Sequence, residues 1–219
     1  MIPGFKLKHR CRNNTQGANL INICENDTNQ FVADGSEYDK LLQKCIAKDK
    51  PLSDKKFPAN SESMLGFGPK ADTADGMVES FTGIEWMTSG GLQKSNQLKL
   101  DDEELGKPNP FCTGGIKTGD IRQGGDGDCF LLSGLSSVTG IPDLVEQVFV
   151  TREISKYAIY CVALFLNGAW ESVVLDSRFP VNITPEGVYN MWCCATNKDE
   201  NGIWVMLLEK AYAKVHGGY

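Results

Sequence analysis

QGGDGDCFLLSGLSSV, residues 123–138, runs a glycine-rich loop straight into an apolar stretch with a cysteine at the seam. The apolar part predicts a helix that starts at Cys129 and ends by Gly140. A thiol at a helix start faces unsatisfied backbone N–H groups and the positive end of the helix dipole, and both favour negative charge. A nucleophilic cysteine needs thiolate character, access, and donors for the oxyanion it creates. The N–H of Cys129 and the side-chain amide of Gln123 are the candidate donors. Glycines at 124, 125 and 127 allow the backbone to come close to a substrate. Asp128 stands beside the thiol, where a carboxylate opposes ionisation, so it is expected to turn away and cap the helix. Spacing alone leaves open a plainer reading, a glycine turn leading into a buried core cysteine.

Downstream, PDLVEQVFV (142–150) predicts a second helix with Pro142 in its first turn. YAIYCVALFL and AWESVVLD flank Asn167-Gly168, a dipeptide that accepts the positive φ angles of a tight turn, and so read as a hairpin. WVMLLEKAYAKV (204–215) predicts a helix with Trp204, Leu207, Leu208, Ala211 and Val215 on one face. Upstream, a helix is expected from Ser36, with Tyr38, Leu41, Leu42, Cys45 and Ile46 as its apolar stripe and Pro51 closing the segment. Residues 51–119 carry turn formers and little periodicity. ANLINIC (18–24) suits a short strand, and LDDEELGKPNP (100–110) a solvated acidic loop. Helices beside a modest antiparallel sheet make an α+β fold.

The 219 residues carry 28 acidic and 22 basic side chains, a net charge of −6, which argues against a nucleic-acid partner. No apolar run approaches the roughly 20 residues that span a bilayer. The first residues lack the apolar core of a signal peptide, so the expected compartment is the cytoplasm. Eight cysteines at irregular spacing, without a C-x-x-C pair, are expected to be free thiols, several of them buried.

QGGDGDCFLL resembles the active-site signature of the calpain family, calcium-dependent cysteine proteases. The likeness extends to YDKLLQKC, PLSDKKFP, SMLGFGP and GIEW between 38 and 86, to FLNGAWESVVLDSRFP (165–180), and to WVMLLEKAYAKVHGGY (204–219). It covers about residues 36–219 and implies the first lobe of a papain-like calpain catalytic core. On that reading residues 1–35 are an irregular N-terminal extension, 36–110 an approach segment with one helix, and 111–219 the first lobe, with the second lobe absent. The resemblance implies that Cys129 is the nucleophile and Gln123 an oxyanion donor, acting on protein or peptide substrates.

A thiol protease also needs a histidine base held by Asn or Asp. His9 and His216 do not match the family's base, which lies farther past the cysteine than this chain runs. The expectation is a chain inactive alone, with a second lobe or partner chain supplying His and Asn. The resemblance also implies a first-lobe calcium site: Asp120, the carbonyls of Thr113 and Gly115, and Glu200 in place of an acidic ligand whose usual position holds Gly202. Two further departures are Phe130, where calpains mostly have Trp, and Asp126, where they favour an aliphatic residue. The alternative function is a non-catalytic calpain-like binding or scaffold protein. A redox-sensing thiol ranks below both, since no resolving cysteine is placed beside Cys129.

Overall fold

The computed structural model of the protein describes residues 36–65, 84–94, 115–185, 189–193 and 202–219. Six helices are present among them: α1 (Ser36–Lys48), α2 (Glu62–Leu65), α3 (Ser89–Lys94), α4 (Cys129–Val138), α5 (Pro142–Gln147) and α6 (Trp204–His216). The strands are β1 (Ile84–Thr88), β2 (Ile159–Leu166), β3 (Ala169–Asp176), β4 (Arg178–Ile183) and β5 (Tyr189–Met191). The architecture is α+β, with a three-stranded antiparallel sheet in the order β1-β4-β5 and a separate β2-β3 hairpin. The strand expected at 18–24 and the acidic loop at 100–110 lie outside the described residues.

The hairpin turns where the sequence places it. Asn167 and Gly168 have φ angles of 51° and 86°, the two left-handed positions of a tight turn matched to strand twist. Its register pairs Tyr160 with Leu175, Cys161 with Val174 and Val162 with Val173. Side chains alternate across a strand, so this register sorts them onto two faces. Tyr160, Val162, Val173 and Leu175 join the main core with α6. Ile159, Cys161 and Val174 face the other way and pack with Tyr38, Leu41 and Leu42 of α1. The half of the hairpin away from the turn is thus covered on both sides, while Phe165 and Trp170 near the turn are exposed. The α1 stripe stops at Cys45, because Ile46 is exposed.

Helix α6 departs from its one-faced expectation. Every residue from Trp204 to Ala211 is buried, including Glu209 and Lys210. A helix enclosed all round must find partners for such charges. Lys210 Nζ lies 2.6 Å from Asp176 Oδ1 and donates 3.1 Å to the Asp176 carbonyl. Arg178 donates from Nε to Asp176 Oδ2 at 2.9 Å, and the Asp54 N–H reaches the same oxygen at 3.0 Å. Lys214, one turn on, bonds Asp54 and the Val174 carbonyl. This buried network ties α6 to the end of β3 and to the 51–57 segment.

The β1-β4 pairing, Ile84↔Asn182 through Thr88↔Arg178, was not foreseen from the sequence. It carries Trp86 into an aromatic group with Phe57 and Tyr219, at centroid distances of 6.4 and 6.0 Å. Tyr219 also reaches Trp192 at 6.0 Å, and its N–H bonds the Ser63 carbonyl at 2.9 Å. Among the described residues no helix is long and apolar enough to cross a membrane.

Candidate active site

The loop before α4 is held by backbone contacts. A 3-10 turn at Thr118–Asp120 precedes it, with the buried Asp120 Oδ2 accepting the Lys117 N–H at 2.8 Å and the Trp204 indole N–H at 3.3 Å. The Gly125 N–H then donates to the Trp192 carbonyl at 2.7 Å. Gly124 lies so close to the same segment that a Cβ would fall 2.1 Å from the Cys193 carbonyl oxygen and 2.4 Å from that of Trp192. The sequence expectation was backbone approach to a substrate; at Gly124 the approach is to the chain's own backbone. Gly127, by contrast, has nothing within 4 Å of a Cβ.

Cys129 opens α4 and is exposed. The buried-core alternative for this thiol is therefore set aside. Cys45, Cys161 and Cys193 are free and buried, while Cys11, Cys24, Cys112 and Cys194 lie outside the described residues. Burial pushes the Cys161 thiol up to about 12. Burial first, and then the Glu209 carboxylate, hold the Cys193 thiol well above its ordinary value. Gln123 is exposed, and its amide nitrogen donates 3.1 Å to the Asp126 carbonyl. Gly115 is partly buried at φ +87°, whereas Thr113 and Glu200 lie outside the described residues.

Asp128 corrects the capping expectation. It occupies the N-cap position, and its carbonyl accepts the Leu131 and Leu132 N–H groups, yet its side chain makes no cap hydrogen bond. The carboxyl is instead buried, 7% exposed, and faces Glu209 across to α6. Burial pushes Asp128 up, and the facing Glu209 carboxyl and then Asp128's own backbone N–H offset part of that. Two facing carboxylates are both acceptors, and neither Asp128 oxygen has a hydrogen-bond partner among the described residues. Burial also pushes Asp126 up, against the pull of the Gly127 N–H. Asp128→Asn gives Glu209 an amide donor and removes one desolvated charge. In chelator-treated buffer it is expected to raise the melting temperature by roughly 2–4 °C, about 1 kcal/mol, as read by calorimetry.

Next to this carboxyl group the α4 surface is aromatic. Phe130 is exposed and meets Tyr212 edge-on at 5.8 Å, and Tyr212 stacks on His216 at 4.0 Å. His216 is exposed, with Nδ1 2.9 Å from the Tyr212 carbonyl, as befits a histidine at a helix C-terminus. Sequence reasoning missed Glu209. Its signal was a charged Glu-Lys pair embedded in the apolar run WVMLLEKAYAKV.

A profile of the calpain family cysteine proteases matches residues 52–219. The chain belongs to the calpain family. Calpain-8 of Mus musculus is 34% identical over 189 residues, covering 84% of this chain and 23% of that protein. Calpain-A of Drosophila melanogaster is 31% identical over 189 residues, covering 84% of this chain and 19% of its own length. Calpain-type cysteine protease DEK1 of Arabidopsis thaliana is 30% identical over 171 residues, 78% of this chain and 7% of that protein. The chain thus spans less than a quarter of the length of these calpains. The α+β fold is that of a calpain catalytic core lobe.

Proposed function

We propose that this calpain chain supplies the thiol-bearing lobe of a cysteine endopeptidase, with Cys129 as nucleophile. The observation that carries this reading is an exposed thiol at the first turn of α4, within the family signature. The Cys129 sulfur attacks a peptide carbonyl, and the Cys129 N–H with the Gln123 amide holds the oxyanion. The C–N bond breaks to leave a thioester, which water hydrolyses. The protons are moved by a histidine that an Asn orients. On this reading those two residues come from a second lobe, in a longer chain or a partner, and His216 is a helix-terminal residue bonded to the Tyr212 carbonyl at the end of α6. On this reading residues 111–219 are the first lobe, following an approach segment at 36–110.

A calcium ion fits beside Asp120 in the same lobe. Asp120 is fully buried, and its Oδ1 accepts no hydrogen bond from any described residue. An enclosed carboxylate oxygen left over in this way suits a hard cation. Gly115 and Thr113 carbonyls and Glu200 would complete the ligand set, and the ion would brace the loop that leads to Cys129.

The 219-residue chain, given calcium and a fluorogenic peptide, is expected to show no turnover above that of Cys129→Ser. Cys129-dependent turnover would overturn the need for a second lobe. Iodoacetamide on the native protein, followed by peptide mass mapping, is expected to label Cys129 while Cys45, Cys161 and Cys193 stay largely unmodified, since burial shields them and keeps them protonated. Labelling of Cys161 or Cys193 ahead of Cys129 counts against Cys129 as the reactive thiol. The acidic group beside the thiol favours a second reading, a non-catalytic binding protein; failure to hydrolyse peptide even with a calpain second lobe added in trans would support it.

A further inference from the structure

We propose that Asp126, Asp128 and Glu209 form a divalent-cation site of calcium size, distinct from Asp120 and directly beside Cys129. One carboxylate oxygen from each of the three lies within 4.8 Å of the others. An ion bonded at about 2.3–2.6 Å spans oxygens up to roughly 5 Å apart, as calcium does, whereas magnesium at about 2.0–2.1 Å requires a tighter set. All three ligands are hard oxygen donors carrying up to three negative charges together, which selects against soft metals.

Two further observations point to a cation. Asp128 is more than nine-tenths buried, and neither of its carboxyl oxygens has a hydrogen-bond partner among the described residues. It sits where a helix cap is the usual outcome and forgoes that cap to aim at Glu209, itself 2% exposed. The three carboxyls also border a cavity of about 220 Å³, shared with Phe130, Tyr212 and Tyr219, and no lining residue is basic. With no basic side chain lining the cavity, the unpartnered Asp128 carboxylate is left to a proton or a metal ion. The cavity has room for several waters, at about 30 Å³ each, to bring coordination to six or more.

Asp126 and Asp128 lie on the loop before α4 and Glu209 on α6, so the ion ties the thiol-bearing turn to the central helix. It also neutralises the negative charge that Asp126 adds to the family signature. The inference does not depend on peptide hydrolysis, and its test measures binding alone.

Calcium is titrated calorimetrically into the chelator-stripped 219-residue chain, as wild type, Asp126→Asn and Asp120→Asn. Terbium luminescence, sensitised through Tyr212 and Tyr219, is read in parallel. Asp126→Asn is expected to weaken one binding event at least about tenfold and to lower the tyrosine-sensitised emission, while Asp120→Asn leaves that event in place. Asp126 is only partly buried, so its variant is expected to fold, and near-ultraviolet circular dichroism checks that. Identical binding in wild type and Asp126→Asn, loss confined to Asp120→Asn, or no binding below about 5 mM calcium would each overturn the site and leave a shared proton as what joins Asp128 to Glu209.

Discussion

Asp176→Ala is expected to destabilise the protein by about 3–5 kcal/mol, because it leaves the Lys210 ammonium buried without its carboxylate. Lys210 is 0% exposed and Asp176 1% exposed, so water cannot replace the lost partner. For a chain of this size the melting temperature falls by roughly 6–20 °C. Pairing Asp176→Leu with Lys210→Met removes both charges and is expected to cost less than the single change, which a double-mutant cycle reads as coupling. A loss below about 1 kcal/mol in Asp176→Ala would show that the network is not what holds α6 to β3.

The same carboxyl gives a pH signature. Burial alone would push Asp176 up, but the Lys210 ammonium and then the Arg178 guanidinium outweigh it and hold the carboxyl below its ordinary range. A carboxyl depressed on folding contributes stability that is present above its unfolded value of about 3.9 and is lost as pH falls through its folded value. Urea melts taken from pH 6 down to pH 2 are therefore expected to steepen below about pH 4 in wild type and to flatten in Asp176→Asn.

Gly124→Ala is expected to be nearly as damaging. Its new Cβ would stand 2.1 and 2.4 Å from two carbonyl oxygens of the 192–193 backbone. Neither oxygen belongs to a side chain that can swing aside, so the loop or its neighbour must move. The Gly125 N–H to Trp192 carbonyl bond, 2.7 Å, is lost with that movement. A loss of about 3 kcal/mol or more follows, roughly 6–12 °C in melting temperature. Gly127→Ala, with open space around it, is the control and is expected to stay within about 0.5 kcal/mol of wild type. Equal melting of the two variants would mean that the loop does not rest on the 192–193 backbone.

These two sites also mark where the sequence ran out. The Asn167-Gly168 turn was legible because its chemistry is local: both residues tolerate positive φ and both flanks are rich in strand formers. The α1 stripe and the start of α4 at Cys129 were legible for the same reason. Strand β1 was not. Ile84–Thr88 lies among turn formers and gains its identity only from β4, almost a hundred residues away, and β4 itself contains Pro180, which argues against a paired strand. The Lys210-Asp176 and Glu209-Asp128 contacts have no sequence period, because they depend on α6 being enclosed on all sides. Cys129 and Gln123 were named from the loop itself. That Asp128 would turn from capping to Glu209 depended on a helix 75 or more residues further on, which no local rule reads.

The two-sided burial of the β2-β3 hairpin away from its turn has an evolutionary consequence. Each strand serves two different neighbours on alternate residues, α6 through Tyr160 and Val162, α1 through Ile159 and Cys161. Inserting one residue in mid-strand inverts that parity and presents each neighbour with side chains shaped for the other. Length variation among descendants of this chain is thereby funnelled to the Asn167-Gly168 tip, where extra residues disturb no such assignment.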